Sequence, residues 1–359
     1  MGTSQYASSF GRLQAISMNF LTKDMMQNLL KAKDDIEMTK ILESTWYGPE
    51  IIKAASVYQP SEILEVALNR YLVQINKIAL DATPFNGKSA VRAYLSKWDI
   101  YNIELILSSK SMGKTITETE SFLVSSRNVP AGISAGNITH DEMKIILSQT
   151  GVDGVVNQLV KYNYGPILMQ HLEEYQKSGD LGPMMYALQK FYYKSLLESL
   201  KFFQGDEGMI REFFRAEIDK KNILNLMKGK EANLDKELIG RHLIDGGRIP
   251  INELLDIYGV KDSAEIAGRV ENRFSLINAL AQYKKTKSLI DFEVALDKFI
   301  NIQYVKKLKN IALSIGTVFY FIINAEYERE NIKRIAYGKR YNLSTEQISS
   351  MLLSEWKYV

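Results

Sequence analysis

The chain has 359 residues, 46% of them hydrophobic and 24% charged, which excludes wholesale disorder and a collagen-like fibre. Its 45 Lys and Arg against 42 Asp and Glu leave a formal charge of +3, too balanced for the basic stripe of a nucleic-acid binder. With no cysteine there are no disulfides, thiolate zinc sites, iron–sulfur clusters or cysteine nucleophiles, and the length suits about two or three domains.

Along the chain, Met1 to Leu21 is polar and rich in small residues, without the apolar core of a signal peptide. Leu64, Ala67, Leu68, Tyr71, Ile75 and Ile78 recur at three- to four-residue steps and predict a helix. Asn86-Gly87 reads as a loop before another helical pattern. Thr117 and Glu120 have the spacing of a capping box, and Ser125–Gly136 is turn-rich. A second helix carries Leu188, Tyr192, Leu196 and Leu200, and Asp245–Pro250 is the next break. Phe292, Leu296, Phe299 and Ile302 mark a third helix. The uncharged run Ile311–Ala325 is too short for the roughly 20 residues of a spanning helix and predicts a buried core helix, so any membrane is reached through a partner. The expected class is all-α.

Three near-equal segments repeat one pattern. Ala67-Leu68-Asn69-Arg70-Tyr71, Ala187-Leu188-Gln189-Lys190-Phe191 and Ala295-Leu296-Asp297-Lys298-Phe299 share an Ala-Leu-polar-basic-aromatic order. Asp99 and Asn102, Asp219 and Asn222, and Glu328 and Asn331 follow, each Asn preceding an Ile. The Asn lies 35, 35 and 36 residues beyond its Ala. Asn233–Ile239 aligns with Asn342–Ile348, while Ser108–Thr119 departs from these two sisters. Tyr47-Gly48 matches Tyr164-Gly165, and the last third lacks the pair. A period above 100 residues is far beyond tetratricopeptide or HEAT spacing and gives each unit room for its own core. Three helical domains are therefore expected, at 1–125, 126–243 and 244–359. The repeated acid and Asn are assigned chiefly to packing, the amide tying neighbouring helices where water is excluded, with direct contact to a partner as the alternative.

Catalytic chemistry is thin. Gly87-Lys88-Ser89 and Gly113-Lys114-Thr115 resemble P-loop ends, but Ala82 and Ser108 stand where the first Gly belongs, and helical rather than strand patterns surround them. His140, His171 and His242 form no metal-ligand spacing and read as surface or cap residues. Asp34-Asp35 and Glu326, Glu328 and Glu330 alternate with Lys and Arg and read as solvated faces. No catalytic residue, cofactor or metal is expected.

Tyr6-Ala7, Gly11-Arg12-Leu13, the run from Leu21 to Leu30, Ser96–Ile103 and Glu328–Lys339, in this order, resemble the C subunit of the archaeal and bacterial A/V-type rotary ATPases, the counterpart of the d subunit in eukaryotic V-ATPases. The resemblance covers essentially the whole chain. It implies three helical domains around a pseudo-threefold axis forming a funnel, without nucleotide or ion binding. The funnel's mouth would receive the D and F subunits of the central shaft and its base would rest on the membrane proteolipid ring, one copy per complex, peripheral at the cytoplasmic face. The chain would then couple rotation to ion transport with ATP synthesis or hydrolysis. A helical interaction scaffold unrelated to rotary ATPases is the alternative, and a nucleotide-binding enzyme is a third.

Overall fold

The computed structural model describes residues 5–125, 138–204 and 207–353, and these are all-α: helices joined by turns, with no strand among the described residues. Local chemistry sets many of the helix starts. Pro60 opens Pro60–Ala82 at a position where its missing N–H costs nothing, and Glu62 accepts the Gln59 N–H at 3.2 Å. Thr22, Asp34, Asp262 and Ser344 cap their helices with side-chain oxygens.

Two compact units are present, one of residues 1–188 with 313–359 and the other of residues 189–312. Both boundaries fall inside the expected thirds of the sequence, residue 188 within 126–243 and residue 312 within 244–359. In the first unit, Phe20 stacks on Phe321 at 5.5 Å, Tyr47 lies 4.2 Å from Tyr71, and Tyr94 meets Phe319 edge-on. The second unit packs Ile223, Met227, Leu254, Phe274, Phe292 and Leu296 into one core.

Each repeat ends alike. The helices Lys97–Ser111, Gly208–Glu231 and Ile315–Arg340 stop before Gly113, Asn233 and Asn342, all left-handed with φ of 67°, 53° and 54°. One residue later, the backbone N–H of Lys114, Leu234 and Leu343 returns to Ser109, Gly229 and Gly338, each at 2.9 Å. Thr115, Asp235 and Ser344 then cap the short helices Ile116–Glu120, Lys236–His242 and Thr345–Ser350. The segment Ser108–Thr119, divergent in sequence, thus keeps the backbone of its sisters. Inside two of these turns a Cβ on Gly229 would sit 2.7 Å from Ile239, and one on Gly338 2.5 Å from Ile348. The first repeat has buried Ser109 and the smaller Thr119 at these two positions.

Several local expectations shift. The capping box uses Thr115 and Glu118, two residues before the predicted pair, because the left-handed Gly113 fixes where the next helix begins. Asn86-Gly87 is not a loop but lies in the first turn of Phe85–Leu95, where Gly87 gives way to Tyr6 and Thr83. Phe292 and Leu296 are fully buried, whereas Ile302 is 53% exposed. A π-turn over Asn301–Val305 inserts a residue into the helical period, so Tyr304 and Val305 point inward instead. Ile311–Ser314 precedes the long helix, and the buried core helix starts at Ile315. Most of the turn-rich stretch Ser125–Gly136 lies outside the described residues. Among the described residues no helix is long and apolar enough to cross a membrane.

Gly48 and Gly165, the second members of the Tyr-Gly pairs, start helices pressed against the preceding backbone. A Cβ would come within 2.3 Å of the Glu43 carbonyl oxygen at Gly48, and of the Val160 backbone at Gly165. Gly165→Ala is therefore expected to cost about 1–3 kcal/mol of unfolding free energy. Equilibrium urea unfolding measures this directly; an unchanged midpoint would show that the backbone relaxes freely there.

Candidate functional site

All six repeat-signature residues are buried, each at 1% exposure or less. The three Asn residues all accept a backbone N–H, and two of them also donate to the same residue. Asn102 donates to the Val124 carbonyl at 3.1 Å and accepts the Val124 N–H at 2.8 Å. Asn222 makes both bonds to Ile244 at 2.8 Å, and Asn331 accepts the Leu353 N–H at 2.8 Å. In every case the clamped residue lies 22 positions downstream. The backbone that leaves each short helix has no ladder partner there, and the side-chain amide supplies an acceptor in all three and a donor as well at Asn102 and Asn222. Asn222→Ala removes both and leaves buried Ile244 groups unpaired, at an expected cost of about 2 kcal/mol. Asn331→Ala, with a single such bond, should cost less; equal losses in chemical denaturation would refute the clamp as their cause.

The acids, one turn earlier, reach into the segment that follows their own repeat, or from the last repeat back to the first. Asp99 accepts the Tyr164 hydroxyl at 3.0 Å. Asp219 accepts the N–H groups of Arg248 at 2.9 Å and Ile249 at 3.1 Å. A Cβ on Gly247 would lie 2.3 Å from that carboxylate, which explains the glycine in the Asp245–Pro250 turn. Glu328 accepts the Leu21 N–H at 2.6 Å and the Tyr47 hydroxyl at 2.8 Å. Tyr47 and Tyr164 of the matched pairs thus serve Glu328 and Asp99. Asp219 turns to backbone amides, and its repeat is followed by the third, which lacks the pair.

Burial pushes Asp219 up to about 6, although the amides of Ile249 and Arg248 and the charges of Arg248 and Arg215 pull the other way. Burial likewise raises Glu328 to about 7 against the Leu21 amide and the Tyr47 hydroxyl. Tyr47 rises in turn through its own burial and the neighbouring Glu328. Glu328 is therefore no part of a solvated face, contrary to the sequence expectation for Glu326, Glu328 and Glu330. The helix Ile315–Arg340 is packed on more than one side, and Glu328 falls on an inward one.

Two residues before the Asn, Arg329 and Lys220 are charged joints that repeat spacing alone does not reveal. Arg329 donates to Asn69 Oδ1 at 3.0 Å through Nε, lies 3.5 Å from Glu65, and stacks over Trp98. Glu65 also pairs with Lys333 at 2.8 Å. Lys220 pairs with Asp297 at 2.7 Å and Glu217 at 2.9 Å. Asn69 and Asp297 occupy the polar place of the Ala-Leu-polar pattern, so the signal is visible in the sequence but its partner is not. Nearer the surface, Lys97 pairs with Glu326 at 2.5 Å over the Tyr94 ring.

The P-loop-like glycines have structural posts: Gly87 is helical, Gly113 a left-handed cap, and Thr115 an N-cap. His140 Nδ1 lies 2.7 Å from Ser125 Oγ, His171 precedes Leu172–Ser178, and His242 ends Lys236–His242. No group of three or more His, Asp or Glu placed to hold a metal occurs among the described residues. A cleft of about 560 Å³ carries Lys33, Asp34, Asp35, Lys339 and Arg340; Arg340 pairs with Asp35, Lys339 donates to the Leu30 carbonyl, and Asp34 caps its own helix.

These features define an all-helical repeat protein whose recurring polar residues are joints between segments. The chain belongs to the ATP synthase (C/AC39) subunit family, whose model matches residues 10–351. It is 35% identical to the C subunit of the A-type ATP synthase of Thermoplasma volcanium over 97% of this chain and 98% of the relative. The corresponding protein of Thermoplasma acidophilum is 34% identical over 98% and 99%. That of Methanocaldococcus jannaschii is 28% identical over 97% and 86%.

Proposed function

We propose that the chain is a non-catalytic central-stalk component of an A-type rotary ATP synthase. It acts as a socket coupling the D and F subunits of the central shaft to the membrane proteolipid ring. The observation that carries this reading is the end-to-end match to relatives named as C subunits of A-type ATP synthases. One copy sits peripherally on the cytoplasmic side of the complex, as three helical domains about a pseudo-threefold axis. Torque transmission needs stiffness rather than chemistry. Close-packed helices tied by buried clamps and ion pairs resist deformation and pass strain along, and the acids joining one segment to the next support that role.

Reconstitution tests it. The purified chain should co-elute with the D and F subunits and co-purify with the proteolipid ring from native membranes, and crosslinking should map the shaft to defined thirds of the chain. Absence of both associations would overturn the socket role and leave only the family membership.

A further inference from the structure

The compact unit of residues 189–312 ends in an exposed, basic and aromatic tip. Within it the helix Gly208–Glu231 runs antiparallel to Ile290–Ile300 and its continuation. Lys220 bonds Asp297, while eight residues earlier Glu212 shares Arg248 with Tyr304. Extending that pairing brings the start of Gly208–Glu231, and Lys201 and Phe202 just before it, to the same end of the unit as Lys306, Lys307 and Lys309. Phe202 is 81% exposed, and the four lysines are exposed as well. Lys201 is paired with Glu198, whereas Lys306, Lys307 and Lys309 make no ion pair among the described residues. From Lys298 to Ala325 the chain carries four lysines and no acidic residue. Leu308, between these unpaired lysines, is fully buried and anchors them.

An aromatic ring left in water, with Lys201 over it and unpaired lysines at the same end of the unit, is a poor surface for a free protein and suits an anionic, partly apolar one. We propose that this tip binds anionic lipid headgroups directly, with Phe202 entering the headgroup layer and Lys306, Lys307 and Lys309 facing the phosphates. The charge pattern favours lipid over a polypeptide partner, because closely spaced lysines with an exposed aromatic ring match a planar array of phosphates without needing a shaped counterpart. The inference goes beyond the coupling role: it adds a lipid contact to a membrane approach made through partners, and the chain could couple rotation without it.

The test is flotation of the full chain with vesicles of phosphatidylcholine alone or mixed with phosphatidylglycerol, at low and high salt. The wild-type chain is expected to float with the anionic vesicles at low salt and to be released at high salt. The triple change Lys306→Glu, Lys307→Glu and Lys309→Glu should weaken binding at low salt at least about tenfold, and Phe202→Ser should weaken it as well, by less. Circular dichroism and thermal melts establish that both variants stay folded. Three results would overturn the proposal: equal binding to both vesicle types, undiminished binding by a folded triple variant, or no vesicle binding together with lysine-dependent binding to detergent-solubilised proteolipid ring. The last would assign the tip to protein.

Discussion

Glu65→Leu is expected to cost about 3–5 kcal/mol of stability, the largest loss of any single change proposed for this chain. The side chains of Glu65, Arg329 and Lys333 are 11%, 7% and 15% exposed, so the one carboxylate balances two cations that water barely reaches. Removing either cation leaves a neutral pair, whereas removing Glu65 leaves two like charges facing each other in a low dielectric. The loss should depend on pH in a definite sense. Burial and the Arg329 charge already hold Lys333 below the ordinary lysine range, and Glu65 works against them. Without Glu65 the lysine falls further, so the folded state holds fewer protons than the unfolded chain and stability rises with pH. Urea unfolding at neutral and alkaline pH checks both parts. A loss that stays constant with pH would show that the missing packing of Glu65, rather than uncompensated charge, is the cause.

The second large effect has the opposite sign. Glu328 is raised from 4.5 to about 7 by burial, so between those values the folded protein carries a proton that the unfolded chain has released. Its contribution is intact at low pH and is lost as pH climbs through about 7. Glu328→Gln stays neutral, can accept from Leu21 through its oxygen, and can donate to Tyr47 through its amide. The variant should therefore be more stable than wild type at pH 8, on the order of 3 kcal/mol, with the gain fading as pH falls to 5. Asp219, shifted in the same direction, is present in both proteins and cancels in the comparison. If the variant is weaker at every pH, the carboxylate is held as a net-favourable anion and the burial argument fails.

Much of this architecture is legible in the sequence, and the reasons differ by residue. Leu196 and Leu200 obey the helical period and are fully buried, so periodicity suffices. Asn102, Asn222 and Asn331 stand out by spacing alone, because a clamp on backbone one short helix away fixes the intervening length. Glu328 illustrates what a local window misses. Between Glu326 and Glu330, with Arg329, Lys333 and Arg334 nearby, it has the pattern of a solvated helix face. Its two partners, Leu21 and Tyr47, lie some 300 positions upstream. Ile302 fails for another reason: the π-turn that rotates it outward has no signature in hydrophobic spacing. Thr115 is masked by Thr117, since both precede a Glu by three and only the left-handed Gly113 distinguishes them.

The two positions held by Gly and Ile in the second and third repeats, and by Ser109 and Thr119 in the first, constrain the order in which these repeats could diverge. While the isoleucine is present, a Cβ on the glycine would press on it, at 2.7 Å at Gly229 and 2.5 Å at Gly338, and the isoleucine would have to shift. Trimming the isoleucine first merely opens a small gap, which a serine can later fill. From a Gly–Ile ancestor the less strained path therefore passes through Gly–Thr rather than through Ser–Ile. The same asymmetry governs chimeras: Ile at position 119 needs Gly at 109 already in place, so exchange of these residues between repeats has an order.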